Sequence, residues 1–278
     1  MSILQAIILG IVQGVTEFAP ISSSGHLILV PWMFGWDIVN PALNKSFDVA
    51  LHMGTFLGAV VYFRHDLWRY IKAFFASIRK RRVETTDERL AWAIAIGTIP
   101  GVIVGAAFQS TIEEKLGQPV IIAVMLAVFG VVLYVVDRVA RQDRGIDSVG
   151  PRTGLYVGTA QAMALQPGVS RSGITITAAR AIGLDRPTAA RFSFLMALPI
   201  ILGAGALKGA ELAQTGFQGY LPQFIAGFVA AAISGFLVIW FLLRYLRGHD
   251  FFWFMVYRLA VAALVIGLIV TGVRSATI

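Results

Sequence analysis

The chain contains no cysteine in its 278 residues, so disulfides and thiolate chemistry are excluded and the redox compartment is left unmarked. Charge is scarce: 14% of the residues, where a soluble domain carries about a quarter. Acidic residues are scarcer than basic ones, 15 against 23, which leaves a net charge of +8. What fills the chain instead is apolar: 57% of residues are hydrophobic and the mean hydropathy is +0.76. No Asp, Glu, Lys or Arg occurs from Leu90 to Ile112, from Leu116 to Val136, or from Leu212 to Leu243. Each run reaches the roughly 20 residues that a membrane-spanning helix needs. The N-terminal apolar run lacks a basic leader segment and contains Gln13 and Glu17, so a signal peptide is not expected.

The basic excess would suit a nucleic-acid binder, but its placement argues otherwise. Most Lys and Arg residues are expected in short loops between apolar runs, which is the positive-inside pattern of a membrane protein. Spans are predicted at 47–63, 90–109, 119–137, 191–207, 222–243 and 251–273. Two further apolar stretches, 3–30 and 153–182, are each interrupted by a polar Pro/Gly/Ser cluster. Lipid cannot satisfy a broken backbone, so each break must be buried in protein or line a wet cavity. Both stretches are therefore predicted to be re-entrant hairpins. Loops at 64–89, 138–152, Arg186–Arg191 and Arg244–Arg247 hold 16 of the 23 Lys and Arg residues, and the opposite side has only Lys45, Lys115, Lys208 and Arg274. This asymmetry predicts that those four loops are cytoplasmic and that both termini lie outside.

The two halves resemble each other. Gly10–His26 aligns without a gap to Gly158–Ile174 with five identities in 17 positions: Gly10 with Gly158, Gln13 with Gln161, Ser22 with Ser170, Ser24 with Ser172, Gly25 with Gly173. Phe56-Leu57-Gly58 resembles Ile201-Leu202-Gly203. The predicted fold class is an all-α polytopic membrane protein of six transmembrane helices and two re-entrant hairpins. One repeat covers 1–143 and the other 144–278. Three spans per repeat is an odd number, so the second enters from the opposite side, an inverted topology that would bring the broken tips together near the midplane.

Chemistry concentrates at the tips. Gln13 and Glu17 are four residues apart on one helix face, Pro20 ends that helix, and Ser22, Ser23 and Ser24 can cap the next. His26 follows one turn later. The second tip has Pro167, Gly168, Ser170, Arg171, Ser172 and, a turn on, Thr175. Helix N-termini suit phosphate, and arginine binds its oxygens through paired hydrogen bonds. Plainer readings exist for each residue: Ser24 and Ser172 as packing contacts, Glu17 and Arg171 as a structural ion pair, His26 as a packing histidine, Gly25 and Gly173 as points of close helix approach. Charge within the membrane is costly enough that function is the default expectation. Asp48 and His52, again four apart, suit a functional or a structural role equally. Glu113, Glu114 and Arg79–Arg82 read as solvated loop charges, and Trp32, Trp36, Trp68 and Trp253 as interface anchors.

Gln13-x-x-x-Glu17 with Pro20-x-Ser-Ser-Ser-Gly-His26, and Pro167-Gly-x-Ser-Arg-Ser-Gly173-x-Thr175, resemble the two signature motifs of bacterial undecaprenyl pyrophosphate phosphatases of the bacitracin-resistance type. The resemblance runs nearly the whole chain. It implies hydrolysis of undecaprenyl pyrophosphate to undecaprenyl phosphate and inorganic phosphate, recycling the lipid carrier of the cell wall in the bacterial cytoplasmic (inner) membrane. It also implies roles: Glu17 with Gln13 holding Mg²⁺ or Ca²⁺, Ser23 and His26 in catalysis, and Ser170, Arg171 and Thr175 on phosphate with Ser22, Ser24 and Ser172 as neighbours. Gln13 stands where many members have Glu. Asp147 matches a family aspartate upstream of the second motif. The expected partners are a polyprenyl pyrophosphate and the membrane, with a homodimer left open and nucleic acid excluded. The rival expectation is a polyprenyl-phosphate transporter or flippase using the same midplane site.

Overall fold

In a computed structural model the chain is a bundle of helices, and residues 1–36 and 41–277 are described, less the side chains of 41–42, 109–116, 208, 211 and 213–215. The order is α1 (Ile3–Phe18), α2 (Ser23–Phe34), α3 (Pro41–Lys80), α4 (Thr86–Leu116), α5 (Pro119–Val139), α6 (Pro151–Gln161), α7 (Arg171–Ala181), α8 (Arg186–Thr215), α9 (Leu221–Tyr245) and α10 (Phe252–Val270). A single 3₁₀ turn, Ile146–Ser148, precedes α6, and another, Ala162–Leu165, prolongs it. Among the described residues six helices are long and apolar enough to cross a membrane: Leu43–Lys80, Thr86–Phe108, Pro119–Val139, Arg186–Leu207, Leu221–Tyr245 and Phe252–Val270. Each predicted span lies within one of these helices, apart from a few terminal residues at 109, 251 and 271–273.

The basic stretches differ from expectation. Most of 64–89 is helix rather than loop: α3 continues through Arg64, Arg69, Lys72, Arg79 and Lys80, and only 81–85 connect it to α4. The segment from Arg64 to Lys80 contains no Gly or Pro, and long side chains lose little freedom in a helix. Its buried face packs: Tyr70 is buried, and the Trp92 indole donates to Ser77 Oγ at 2.9 Å. The helix stops where Arg81 turns to φ +55°, and α4 restarts on a Thr85/Glu88 capping box. Arg186–Arg191 is likewise the first turns of α8, capped by Asp185 with Pro187 near its start. Glu113 and Glu114 belong to α4, not to a loop, and their side chains lie outside the described set.

These segments nevertheless gather at one end of the bundle. Arg191 meets Asp66 at 2.5 Å, Arg69 meets Asp87 at 2.7 Å, and Arg138 meets Asp250 at 3.5 Å. Asp137, fully buried, is shared by Arg180 at 2.6 Å and Arg186 at 2.9 Å.

The halves are interleaved. In α1, a Cβ at Gly10 would run into Gly227 O of α9, and one at Gly14 into Ser234 Oγ of α9. In α6, Gly154 and Gly158 lie as tightly on Ala93 and Gly97 of α4. Without water to drive helices together, such small-residue contacts let backbones approach and gain packing energy. Helices α1 and α6 thus each pack on a spanning helix of the other half, and one buried cluster, from Phe18 and Phe63 to Phe192 and Phe251, includes residues of both.

Candidate active site

Both broken segments end in the same local geometry. Ser22 caps α2 and Ser170 caps α7, each at φ +77°, a region that costs a non-glycine residue strain. Each serine Oγ accepts the N–H three residues on, Gly25 at 3.4 Å and Gly173 at 3.1 Å. The tips also bond to each other: Gly168 N donates to Ser22 Oγ at 3.0 Å, and Ser172 Oγ donates to Ala19 O at 3.0 Å. Ahead of the N–H groups that Ser22 and Ser170 cap, the opening N–H groups of α2 and α7 are the ones a helix leaves without a carbonyl one turn back, and they carry its partial positive charge.

Glu17, only 5% exposed, joins the two segments. Its Oε1 accepts from Arg171 Nη2 at 3.0 Å, and its Oε2 accepts from Ser23 Oγ at 2.6 Å and Gln13 Nε2 at 3.0 Å. Arg171 also donates to the carbonyls of Glu17 and Ser193, both at 3.2 Å. His52 reaches the same carboxylate from α3, Nε2 to Oε2 at 3.5 Å. Its Nδ1 lies 2.7 Å from Asp48 O; a carbonyl only accepts, so this nitrogen bears the proton and Nε2 faces Glu17.

A cavity of about 270 Å³ opens on this cluster, with Glu17, Ser23, Ser24, His52, Gln161 and Arg171 forming its polar side. Val49, Ile200, Ile201 and Leu165 are among its apolar lining. Through Val49 and Gly205 it adjoins an apolar groove of about 300 Å³ between α3, α8 and α9, lined by Met53, Phe224 and Phe228 among others. A charged head and a hydrocarbon tail could therefore be held in adjoining spaces.

Several expected residues lie elsewhere. His26 does not line the cavity: Nδ1 donates to Ser22 O at 2.7 Å, and Nε2 accepts from Tyr257 Oη at 2.9 Å, with the rings stacked at 5.6 Å. Acid–base work by His26 on Ser23 does not fit this position, because both ring nitrogens are committed away from it. Ser22, Ser170 and Ser172 are buried and brace the tips. Thr175 bonds to Arg171 O at 2.7 Å and Ser193 Oγ at 2.6 Å rather than facing the cavity. Asp147 lies at the charged end, in a separate cavity with Asp66, Arg69, Asp87 and Arg191. Asp48 supplies the carbonyl that orients His52, and its residue lines a third cavity with Arg274.

Four residues at or behind the site carried no role in the sequence reading: Gln161, Ser193, Tyr257 and Arg258. Ser193 had no signal. Arg258 did: it is a charge in the middle of an apolar span, where a functional role is the default.

Among the described residues Glu17 is the only carboxylate lining the cavity, and no group of three or more His, Cys, Asp or Glu side chains could hold a metal. The buried Oε1 of Gln13, on the amide that bonds Glu17, has no hydrogen-bond partner among the described residues. A lone carboxylate that already accepts from Arg171, Ser23 and Gln13 offers a cation few ligands, so only one that brings most of its ligands with it, as Mg²⁺ does with phosphates and water, suits this site.

Fold and cavity together define a polytopic membrane protein with a buried carboxylate–serine–arginine site between two helix N-termini. The chain belongs to the family described as bacitracin resistance protein BacA, which it matches over residues 6–264. It is 46% identical over 266 residues to an undecaprenyl-diphosphatase of Moorella thermoacetica, covering 96% of this chain and 97% of that one. It is 44% identical over 283 residues to an undecaprenyl-diphosphatase of Thermomicrobium roseum, covering 99% and 100%. To that of Pelobacter propionicus it is 42% identical over 275 residues, covering 98% and 99%.

Proposed function

We infer that this chain is a membrane-embedded undecaprenyl-diphosphatase, hydrolysing undecaprenyl pyrophosphate to undecaprenyl phosphate and inorganic phosphate. The observation that carries this reading is the 2.6 Å hydrogen bond from Ser23 Oγ to Glu17 Oε2, with Arg171 on the other carboxylate oxygen. A serine hydroxyl donating to a carboxylate is a nucleophile beside its base.

The terminal phosphate enters between the N-termini of α2 and α7 and draws Arg171 from Glu17 onto its oxygens. Ser23 Oγ attacks the terminal phosphorus in line while Glu17 takes its proton. The bond from that phosphorus to the bridging oxygen breaks, and undecaprenyl phosphate leaves with the electron pair. Glu17 gives that proton up to the medium; water, passing a proton to the freed carboxylate, then attacks the phosphoserine phosphorus, the bond from phosphorus to Ser23 Oγ breaks, and Oγ takes the proton back from Glu17 as phosphate leaves. Positioning and fixed positive charge carry most of such a transfer. A divalent cation, Mg²⁺ or Ca²⁺, held by Glu17 and Gln13 would neutralise charge on the diphosphate. The apolar groove beside the cavity takes the prenyl tail.

The remaining topology follows from the same reading. The segments of α1–α2 and α6–α7 are re-entrant hairpins of an inverted repeat, an assignment supported by the matched Ser22 and Ser170 caps. The charged end is cytoplasmic, both termini are external, and the membrane is the bacterial inner membrane.

The test is phosphate release from undecaprenyl or farnesyl pyrophosphate by the purified protein in detergent, with Mg²⁺, Ca²⁺ or EDTA. Release by the wild type, with radioactive phosphate trapped on Ser23 after acid quench, supports the reading. Full activity in Ser23→Ala would eliminate the serine step in favour of direct attack by water. No release from folded protein under any of these conditions would point instead to a polyprenyl-phosphate transporter.

A further inference from the structure

Arg258 of α10 is fully buried, and among the described residues its hydrogen bonds go to main-chain carbonyls alone. Nη1 donates to Pro20 O at 3.1 Å, in the first tip. Nη2 donates to Gly168 O at 2.8 Å and Val169 O at 3.2 Å, in the second. Nε donates to Leu126 O at 2.8 Å and Nη2 to Met125 O at 3.2 Å, both on α5. The preceding residue, Tyr257, donates to His26 Nε2, and His26 in turn donates through Nδ1 to Ser22 O. Two consecutive residues of α10 thus reach the first tip at Pro20 directly and at Ser22 through the imidazole.

We propose that Arg258, with Tyr257, is a positioning residue that clasps the two tips and so sets the Ser23–Glu17 pair of one against Arg171 of the other. The inference rests on the phosphatase reading of the site. Two needs are met at once. Carbonyls at a helix break find no partner in their own helix, and inside a membrane protein water is not there to supply one. A buried guanidinium needs acceptors on every edge, and its planar fork can span several carbonyls in fixed directions. The three tip carbonyls among its five acceptors lie one or two residues before Ser22 and Ser170, the strained caps on which the N-termini of α2 and α7 are oriented. A general packing role would not select those positions. Space for the side chain comes from Gly130, where a Cβ would lie 3.2 Å from Arg258 Cβ, Cδ and Nε, and from Gly173, where it would lie 3.2 Å from Nη1.

Steady-state phosphate release from farnesyl pyrophosphate by wild type, R258K, R258M, Y257F and G130A tests this, with helix content and thermal unfolding measured on the same samples. An ångström of misplacement costs about 10²-fold, so R258K and R258M are expected to lose about that much kcat with KM within about twofold of wild type. Lysine does not rescue, because three donors on a point charge cannot span the carbonyls of both tips. Y257F and G130A are expected to fold and to lower kcat by about tenfold, also without raising KM. Wild-type kcat in R258K, or losses confined to KM, would overturn the proposal. If neither Arg258 variant folds, Y257F and G130A decide, and wild-type kcat in both overturns it. An inactive wild type would overturn the phosphatase reading and the clasp together, whereas an active wild type with unaffected variants would overturn the clasp alone.

Discussion

Glu17 is asked to accept from Arg171, Ser23 and Gln13 at once, and only the serine bond belongs to chemistry. In the proposed mechanism substrate phosphate competes for Arg171, which frees one carboxylate oxygen as the reaction starts. Glu17→Gln keeps the size and still accepts from Arg171 but cannot take the proton. It is expected to lower kcat by about 10²–10⁴-fold while the protein still folds, as phosphate release and thermal unfolding would report. Arg171→Lys should lose about 10³-fold in kcat, since an ammonium cannot hold two phosphate oxygens in one plane; turnover near wild type would show that charge alone suffices. His26 is a strut in this geometry, not a base. His26→Gln should therefore reduce kcat without removing an ionisation from the pH–rate profile, and loss of one limb of that profile would return His26 to the chemistry. Gln13, Glu17, Ser23, Ser24 and Arg171 were legible because each stands in a short polar cluster where lipid forbids one. Tyr257 and Ser193 were not, because a tyrosine or serine on a spanning helix carries no mark of what it touches.

At the scale of elements, α1 and α6 are the pieces whose sequences explain their packing. Gly10 and Gly14, and Gly154 and Gly158, are four apart on one helix face, which reads as close approach but names no partner. The partners are α9 and α4, helices from the opposite halves. Gly14→Ala would drive a methyl into Ser234 Oγ and the backbone at Ala231 and Gly235. A destabilisation of about 1–3 kcal/mol is expected from such overpacking, read as a lower unfolding temperature in detergent, with the 1–36 segment released first in limited proteolysis. An unchanged unfolding temperature would mean that α1 can shift freely on α9. The length of α3 was the main misreading among the elements. Clustered arginines suggested a loop, but charge decides only which end of a helix leaves the membrane, and it takes Gly, Pro or a competing cap to end the helix itself.

Across the whole molecule the charged end is a network rather than a set of loose loops. Arg180, fully buried, is paired to Asp137 and also donates to the carbonyls of Arg141 and Leu184. Asp137→Asn leaves that guanidinium buried without a counter-charge and should cost about 3–5 kcal/mol, while kcat per folded molecule stays the same because the cluster does not line the catalytic cavity. Since the chain has no cysteine, single introduced thiols report topology cleanly. Arg81→Cys and Arg247→Cys are expected to react with an impermeant maleimide only from the cytoplasmic side, and Ser275→Cys only from the exterior; any other pattern would reverse or break the orientation. The sequence by itself determined six apolar spans, two breaks and the polar residues at them, because composition and short spacings act within one element. It could not tell His26 from His52. Each imidazole donates Nδ1–H to the carbonyl four residues back, 2.7 Å in both cases, so their local settings are alike. Tertiary packing alone turned one toward Tyr257 of α10 and the other toward Glu17. The direction a helix face takes is set by the neighbour it packs against, and that neighbour is fixed only when the two halves interlock.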